Sequence, residues 1–122
     1  MVVKKYVITV KNESGDTIKE IAFPHDSGFI KAYIHALSII EEKNHDYSEE
    51  QDPFANFREC EKLGVPAELG VAIRMSDKFA RLRNYFKKGL LKTKGEGVQD
   101  ALVDIMNYSA ILYAMLESKH RK

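Results

Sequence analysis

Two long amphipathic segments joined by a short loop constrain the fold of this chain more than any other feature. Residues 67–87 and residues 98–117 each carry apolar side chains at alternating spacings of three and four, as helices that bury one side do. The loop over residues 88–97, with three glycines and three lysines, predicts an antiparallel pair. The predicted core stripes are Ala72, Met75, Phe79, Leu82 and Phe86 in the first helix and Val98, Leu102, Ile105, Ser109, Leu112 and Leu116 in the second.

The segments before this pair predict a small β part and two further helical pieces. Residues 3–23 alternate like a β-hairpin around turn residues 12–16. A helix capped by Ser27 follows, and residues 54–63 form a short amphipathic segment. The first helix has the apolar stripe Ile30, Tyr33, Ile34, Leu37 and Ile40. We therefore expect a mostly α protein with a small β part (α+β), a single domain over residues 1–122 with a helical part over 28–117 and a frayed tail over 118–122.

The composition narrows the class of protein and of partner. Among 122 residues the acidic and basic side chains nearly cancel, to a formal net charge of +1, so we expect no direct nucleic-acid binding. No apolar run approaches the roughly 20 residues of a membrane span, and a single cysteine, Cys60, fits a reducing compartment. We expect a cytoplasmic protein without a membrane partner. Its modest core favours a homodimer or a higher homo-oligomer.

Polar side chains on the two long helices indicate where a site lies. Arg74, Asp77, Lys78 and Arg81 share one face of the first helix, and Asp100, Asp104 and Asn107 share one face of the second. A carboxylate and an amide on a largely apolar helix need partners, because burying an unpaired polar group is costly. The cations of the first helix, a metal ion and a polar ligand are the three alternatives.

Each alternative predicts different chemistry. Arg74, Lys78 and Arg81 are spaced to hold a phosphate, unless Asp77 and Arg81 form a solvated pair. If the protein is an enzyme, Asp77, Asp100 and Asp104 could bind Mg²⁺. In the competing structural interpretation, Asp100 interacts with its helix N-terminus and Asp104 pairs with an arginine. We expect no metal and assign no catalytic residue.

A third group of residues carries aromatic rings next to an amide and a cation. The segment Phe54, Asn56, Phe57 and Arg58 offers rings to stack on a base, an amide to read its edge and an arginine for a phosphate. Phenylalanines three apart on a helix are also common core residues. Tyr47 and Tyr108 are further candidates for stacking.

These motifs resemble, in their order and spacing, the nucleotide-modification-associated domain of phage proteins. The matching stretches are residues 43–47 (KNHDY), 52–58 (DPFANFR), 74–81 (RMSDKFAR) and 100–108 (DALVDIMNY). The resemblance covers residues 40–117 and excludes the hairpin. That family is grouped with all-α nucleotide pyrophosphohydrolases of the MazG type. The resemblance implies a nucleotide ligand.

The chain departs from the MazG pattern at the acidic residues that bind Mg²⁺. Glu41 and Glu42 lack a third glutamate, and Gln99 stands before Asp100 where an acid is expected. The departure favours a binder over a catalyst. In length and outline the chain is also similar to Thoeris anti-defence proteins of phages, which sequester cyclic ADP-ribose-like immune signals.

We therefore expect a cytoplasmic protein of an infected bacterium that holds a nucleotide-derived signal intact. The expected ligand-binding residues are Tyr47, Phe54, Asn56, Phe57, Arg58, Arg74, Asp77, Lys78, Arg81, Asp104, Asn107 and Tyr108. One alternative is a Mg²⁺-dependent nucleoside triphosphate pyrophosphohydrolase or an accessory of DNA-base modification. Another is a structural helical adaptor, in which the polar stripes pair with each other.

Overall fold

The computed structural model describes residues 6–23, 28–47, 54–88 and 97–120. Strands β1 (Tyr6–Lys11) and β2 (Thr17–Phe23) precede helix α1 (Gly28–Tyr47), a 3₁₀ helix (Ala55–Leu63), helix α2 (Ala67–Lys88) and helix α3 (Val98–His120). The predicted class, mostly α with an amino-terminal antiparallel hairpin, is confirmed. No helix among these residues is long and apolar enough to cross a membrane.

The hairpin closes through a short, well-bonded turn. The backbone N–H of Asn12 donates to the Asp16 carbonyl oxygen, and the N–H of Asp16 donates to the Asn12 side-chain oxygen, both at 3.0 Å. Gly15 takes a φ of 89°, which an L side chain rarely adopts. Val10 pairs with Lys19 and Lys11 with Thr17, so Ile18 is the extra residue of a β-bulge.

The chain separates into two compact units, Met1–Ile34 and His35–Lys122. The first contains the hairpin and the beginning of α1, and the second contains the rest of α1 and the other helices. Residues 3–5 of the predicted hairpin and the predicted cap Ser27 lie outside the described residues. The single-domain expectation stays a prediction.

The core of the second unit lies where the start of α2 meets the end of α3. Ala67 and Val71 pack there with Ile111 and Met115. Partly buried apolar side chains surround this core: Ile40, Phe54, Phe57, Tyr108 and Leu112. The first residues of α2 therefore contact the last turns of α3, which makes the two helices antiparallel as predicted. Helix α3 continues to His120, so the predicted frayed tail is helical over 118–120, and residues 121–122 lie outside the described part.

Gly64 ends the 3₁₀ helix and allows the chain to turn into α2. Its φ of 82° is left-handed, and its N–H donates to the carbonyl oxygens of Cys60 and Glu61. The N–H of Val65 donates back to Cys60 as well, at 3.1 Å. This pattern of bonds closes a helix on a glycine without leaving its last carbonyls unpaired. The turn brings the 3₁₀ helix against the beginning of α2.

The predicted core stripes of the two long helices are partly wrong. On both helices the buried side is rotated in the same direction away from the predicted stripe. On α2, Ala72, Phe79 and Phe86 are exposed. On α3, Leu102, Ser109 and Leu116 are exposed. The side chains one position earlier are less exposed in every case: Val71, Lys78, Tyr85, Ala101, Tyr108 and Met115. The remaining members of the predicted stripes, Met75, Leu82, Val98, Ile105 and Leu112, are half-buried as expected.

One residue corresponds to about 100° around a helix, so the buried side of each helix is turned toward its polar stripe. The reason lies in the tertiary packing around the two helices. Ile40 of α1 and Phe57 of the 3₁₀ helix pack against the core of the α2–α3 pair, and Asn107 of α3 bonds to α1. On α1 the stripe is also only partly correct, because Ile30 is buried and Ile40 half-buried while Tyr33, Ile34 and Leu37 are exposed.

Candidate functional site

A pocket of about 470 Å³ opens in the second unit, between α1, the 3₁₀ helix and the α2–α3 pair. Most of its surface is apolar, although six of its fourteen lining residues are polar or charged. This is the usual composition of a small-molecule site. The lining residues are Leu37, Ile40, Glu41, Lys43, Phe54, Asn56, Phe57, Arg74, Asp104, Asn107, Tyr108, Ala110, Ile111 and Ala114.

An aromatic corner with a cation beside it forms one wall of the pocket. The rings of Phe57 and Tyr108 meet edge to face, with centroids 6.4 Å apart and planes at 88°. The guanidinium carbon of Arg74 lies 5.0 Å from the centroid of the Phe57 ring, which is cation–π distance. Among the described residues, no carboxylate forms an ion pair with Arg74. Its N–H groups can therefore meet an anion carried by a ligand.

Asp104 on α3 forms an ion pair with Lys78 on α2. Lys78 Nζ lies 2.9 Å from Asp104 Oδ2, and the two side chains are 22% and 26% exposed. The sequence predicts an acid on α3 facing a cation of α2, and the structure selects Lys78 rather than an arginine. Lys78 does not line the pocket, whereas Asp104 does. The pair neutralises the carboxylate at the pocket wall.

Asn107 joins α3 to α1. Its side-chain nitrogen Nδ2 donates a hydrogen bond of 2.9 Å to the backbone carbonyl oxygen of Ala36. Ala36 is buried and small, which lets the two helices approach at this point. One arm of the amide therefore holds α1 against α3, and the residue as a whole lines the pocket.

Asp100 has a structural role at the beginning of α3. Its Oδ2 accepts a hydrogen bond of 3.0 Å from the N–H of Gly97, while the Asp100 N–H donates to the Gly97 carbonyl oxygen at 3.1 Å. Such a reciprocal pair satisfies backbone groups that a helix N-terminus leaves unpaired, and the carboxylate also suits the helix dipole. No group of three or more His, Cys, Asp or Glu side chains within the described ranges is arranged to hold a metal ion.

Most of the predicted ligand-binding residues line the pocket. They are Phe54, Asn56, Phe57, Arg74, Asp104, Asn107 and Tyr108. Arg58, Asp77 and Arg81 are exposed and are not among the lining residues. Lys78 does not line the pocket either, but it forms an ion pair with Asp104, which does. Tyr47 ends α1, but its side chain lies outside the described residues.

The sequence did not assign ligand binding to the α1 side of the pocket, or to Ala110 and Ala114 of α3. Leu37 and Ile40 belonged to the predicted apolar stripe, Glu41 was compared with the acidic residues of MazG-type enzymes, and Lys43 began the matching stretch 43–47. Ala110 and Ala114 lie one turn apart on α3, after Asn107. Small residues one turn apart after a polar residue are the sequence pattern that could have indicated a concave face on α3.

No family model, characterised protein or solved structure matches this chain. The resemblance of its motifs to phage nucleotide-modification-associated domains therefore stays a prediction. The function has to be inferred from the chemistry of the pocket.

Proposed function

We propose that this protein binds a nucleotide-derived small molecule in the pocket of its second unit. The observation that carries the proposal is Arg74 lying over Phe57 beside Tyr108 in a mostly apolar pocket. Aromatic faces and edges favour a planar base, and a guanidinium without a carboxylate partner among the described residues favours a phosphate. The pocket volume of about 470 Å³ falls within the roughly 300–1,000 Å³ of small-molecule sites.

The bound molecule is held intact, as the sequence predicts for a protein that sequesters a cyclic ADP-ribose-like defence signal. Two carboxylates of the proposed Mg²⁺ set already have contacts of another kind. Asp104 pairs with Lys78 at 2.9 Å, and Asp100 accepts from the N–H of Gly97. A metal ion would compete with Lys78 for the carboxylate of Asp104 and with the Gly97 N–H for the carboxylate of Asp100. This supports sequestration over pyrophosphate release.

A binding assay with matched arginine variants tests the proposal. Mass spectrometry of small molecules released by heat, after incubation with nucleotides and cyclic ADP-ribose isomers, identifies a bound compound and its state. The affinity for that compound is then measured by calorimetry on Arg74→Ala and Arg83→Ala. Both substitutions remove an exposed arginine from α2, but only Arg74 lines the pocket.

We expect intact release of one compound, and at least a tenfold loss of affinity for Arg74→Ala, because a charge-assisted bond is worth roughly 1.5–3 kcal/mol. Arg83→Ala should bind as the wild type does. Release of a nucleoside monophosphate after incubation with a triphosphate would instead establish hydrolysis. Equal losses for the two variants would remove Arg74 from the site.

The helical adaptor remains the second candidate, and two contacts favour it. The Lys78–Asp104 pair and the hydrogen bond from Asn107 to Ala36 satisfy polar groups within the protein. An adaptor needs no ligand. It therefore predicts that no compound raises the melting temperature, whereas a ligand specific to the folded state must raise it.

The proposal includes self-association, as a homodimer or higher homo-oligomer. The first unit, Met1–Ile34, has no cysteine and leaves large apolar side chains in water, among them Val7, Ile18, Phe29 and Tyr33. A unit of this size rarely buries a sufficient core by itself. A second copy of the chain would cover these side chains.

A further inference from the structure

Two hydrogen-bond acceptors lie one helical turn apart on the α3 wall of the pocket. They belong to Asp104 and Asn107, at positions i and i+3, and both residues line the pocket. Their neighbours on α2 and α1 decide which of their atoms remain available to a ligand.

The orientation of the Asn107 amide is determined by Ala36. Nδ2 donates to the Ala36 carbonyl oxygen at 2.9 Å, and the flipped amide would place two acceptor oxygens against each other. The side-chain oxygen Oδ1 is therefore the arm not used in this contact. No described residue donates a hydrogen bond to it.

Asp104 likewise has one side-chain oxygen with a partner and one without a partner among the described residues. Lys78 contacts its oxygen Oδ2, and no described residue bonds to Oδ1. A carboxylate is an acceptor only, so this oxygen can meet only a donor. Both residues line the pocket, so the α3 wall carries two acceptor oxygens that no described residue bonds to.

We propose that the pocket selects ligands whose ring carries an amino group over counterparts that carry an oxo group at the same place. An exocyclic amine has two N–H donors, enough to satisfy both oxygens. The oxo counterpart offers only the neighbouring ring N–H as a donor, so at least one of the two oxygens stays unpaired, and unpaired polar groups in a site are what allow discrimination of this kind. The inference rests on the proposed nucleotide binding, and it defines the class as aminated heteroaromatic rings such as adenine and cytosine.

Matched pairs of nucleotides test the selection without any substitution. Calorimetry is performed with AMP against IMP and with CMP against UMP. Within each pair the phosphate is the same, while the exocyclic amine and its neighbouring ring acceptor are replaced by an oxo group and a ring N–H. We expect each amino form to bind at least tenfold more tightly. Equal affinities within both pairs, or tighter binding of the oxo forms, would overturn the inference.

The variant Asp104→Asn should abolish the preference for the amino forms. Its amide oxygen would face Lys78, which can only donate, and its NH₂ would then replace Oδ1 at the pocket wall. We expect IMP to bind at least as tightly as AMP. Asp77→Asn removes the same charge from an exposed site on α2 that does not line the pocket, and it should keep the wild-type ratio.

The outcomes separate this inference from the proposed function. If neither these nucleotides nor a cyclic ADP-ribose isomer binds the wild type, the proposed function fails and the inference fails with it. If nucleotides bind but the amino and oxo forms do not differ, the proposed function stands and the inference fails. If Asp104→Asn keeps the wild-type preference for the amino forms, Asp104 does not bond to the amino group and the inference fails.

Discussion

At the scale of single residues, Gly70 packs directly against the side chain of Cys60. A Cβ placed on Gly70 would lie 2.6 Å from the sulfur of Cys60 and 3.6 Å from its Cβ. The sulfur in turn lies 3.5 Å from the Phe57 carbonyl oxygen and 3.8 Å from that of Pro66. The glycine therefore lets the 3₁₀ helix, with the pocket residue Phe57, approach the first turn of α2.

Gly70→Ala should destabilise the protein by about 1 kcal/mol, because overpacking of roughly 1–3 kcal/mol exceeds the gain of about 1 kcal/mol in helix propensity. In a Cys60→Ala background the sulfur is gone, and the same substitution should be stabilising. Urea unfolding of the two single variants and the double variant measures this coupling. The same sign in both backgrounds would contradict the steric account.

The residues of the site show what sequence reasoning can and cannot identify. Arg74, Asp104 and Asn107 were predictable, because polar groups on apolar helix faces need partners. A cation of α2 was predicted as the partner of Asp104, but which residue it is, and what Asn107 bonds to, depend on how the helices are rotated and on which backbone atoms come close. Asn107 illustrates this, since its partner is a backbone oxygen of Ala36, 71 positions away in the sequence.

At the scale of the helices, the bounds of α2 and α3 followed closely from the sequence, but their buried sides did not. Helix ends are set locally, by Gly64 before α2 and by the Asp100–Gly97 cap before α3. The buried side is set by the layers that pack against the helix. Ile40 of α1 and Phe57 of the 3₁₀ helix pack against the core that contains Val71, whereas Phe79 and Phe86 are exposed.

The rotation makes a prediction opposite to that of the sequence pattern. Val71 is 1% exposed, so Val71→Ala should destabilise the protein by about 1–3 kcal/mol. Phe86 is 72% exposed, and Phe86→Ala should change stability by about 0.5 kcal/mol or less, although it removes more atoms. Denaturant unfolding of both variants measures the two losses in the free energy of unfolding. A larger loss for Phe86→Ala would restore the predicted core stripe.

At the scale of the whole molecule, the two units differ in how far they bury their apolar side chains. The second unit has a core built from α2 and α3, with partly buried aromatic side chains around it. In the first unit, Ile30 is buried, but both strands and the beginning of α1 expose apolar side chains. A two-stranded hairpin is marginally stable in water without a further layer.

Self-association is therefore the prediction that belongs to the whole molecule. Phe29 and Tyr33 lie one turn apart on α1 and are both more than half exposed, so a charge at this place should oppose contact with a second copy. We expect sedimentation velocity to find a dimer or larger species for the wild type and smaller species for Tyr33→Glu. The matched control His35→Glu adds the same charge to an exposed position about 200° further around α1, and it should leave the association unchanged. A wild type that stays monomeric at every concentration would refute the prediction, because association must follow protein concentration.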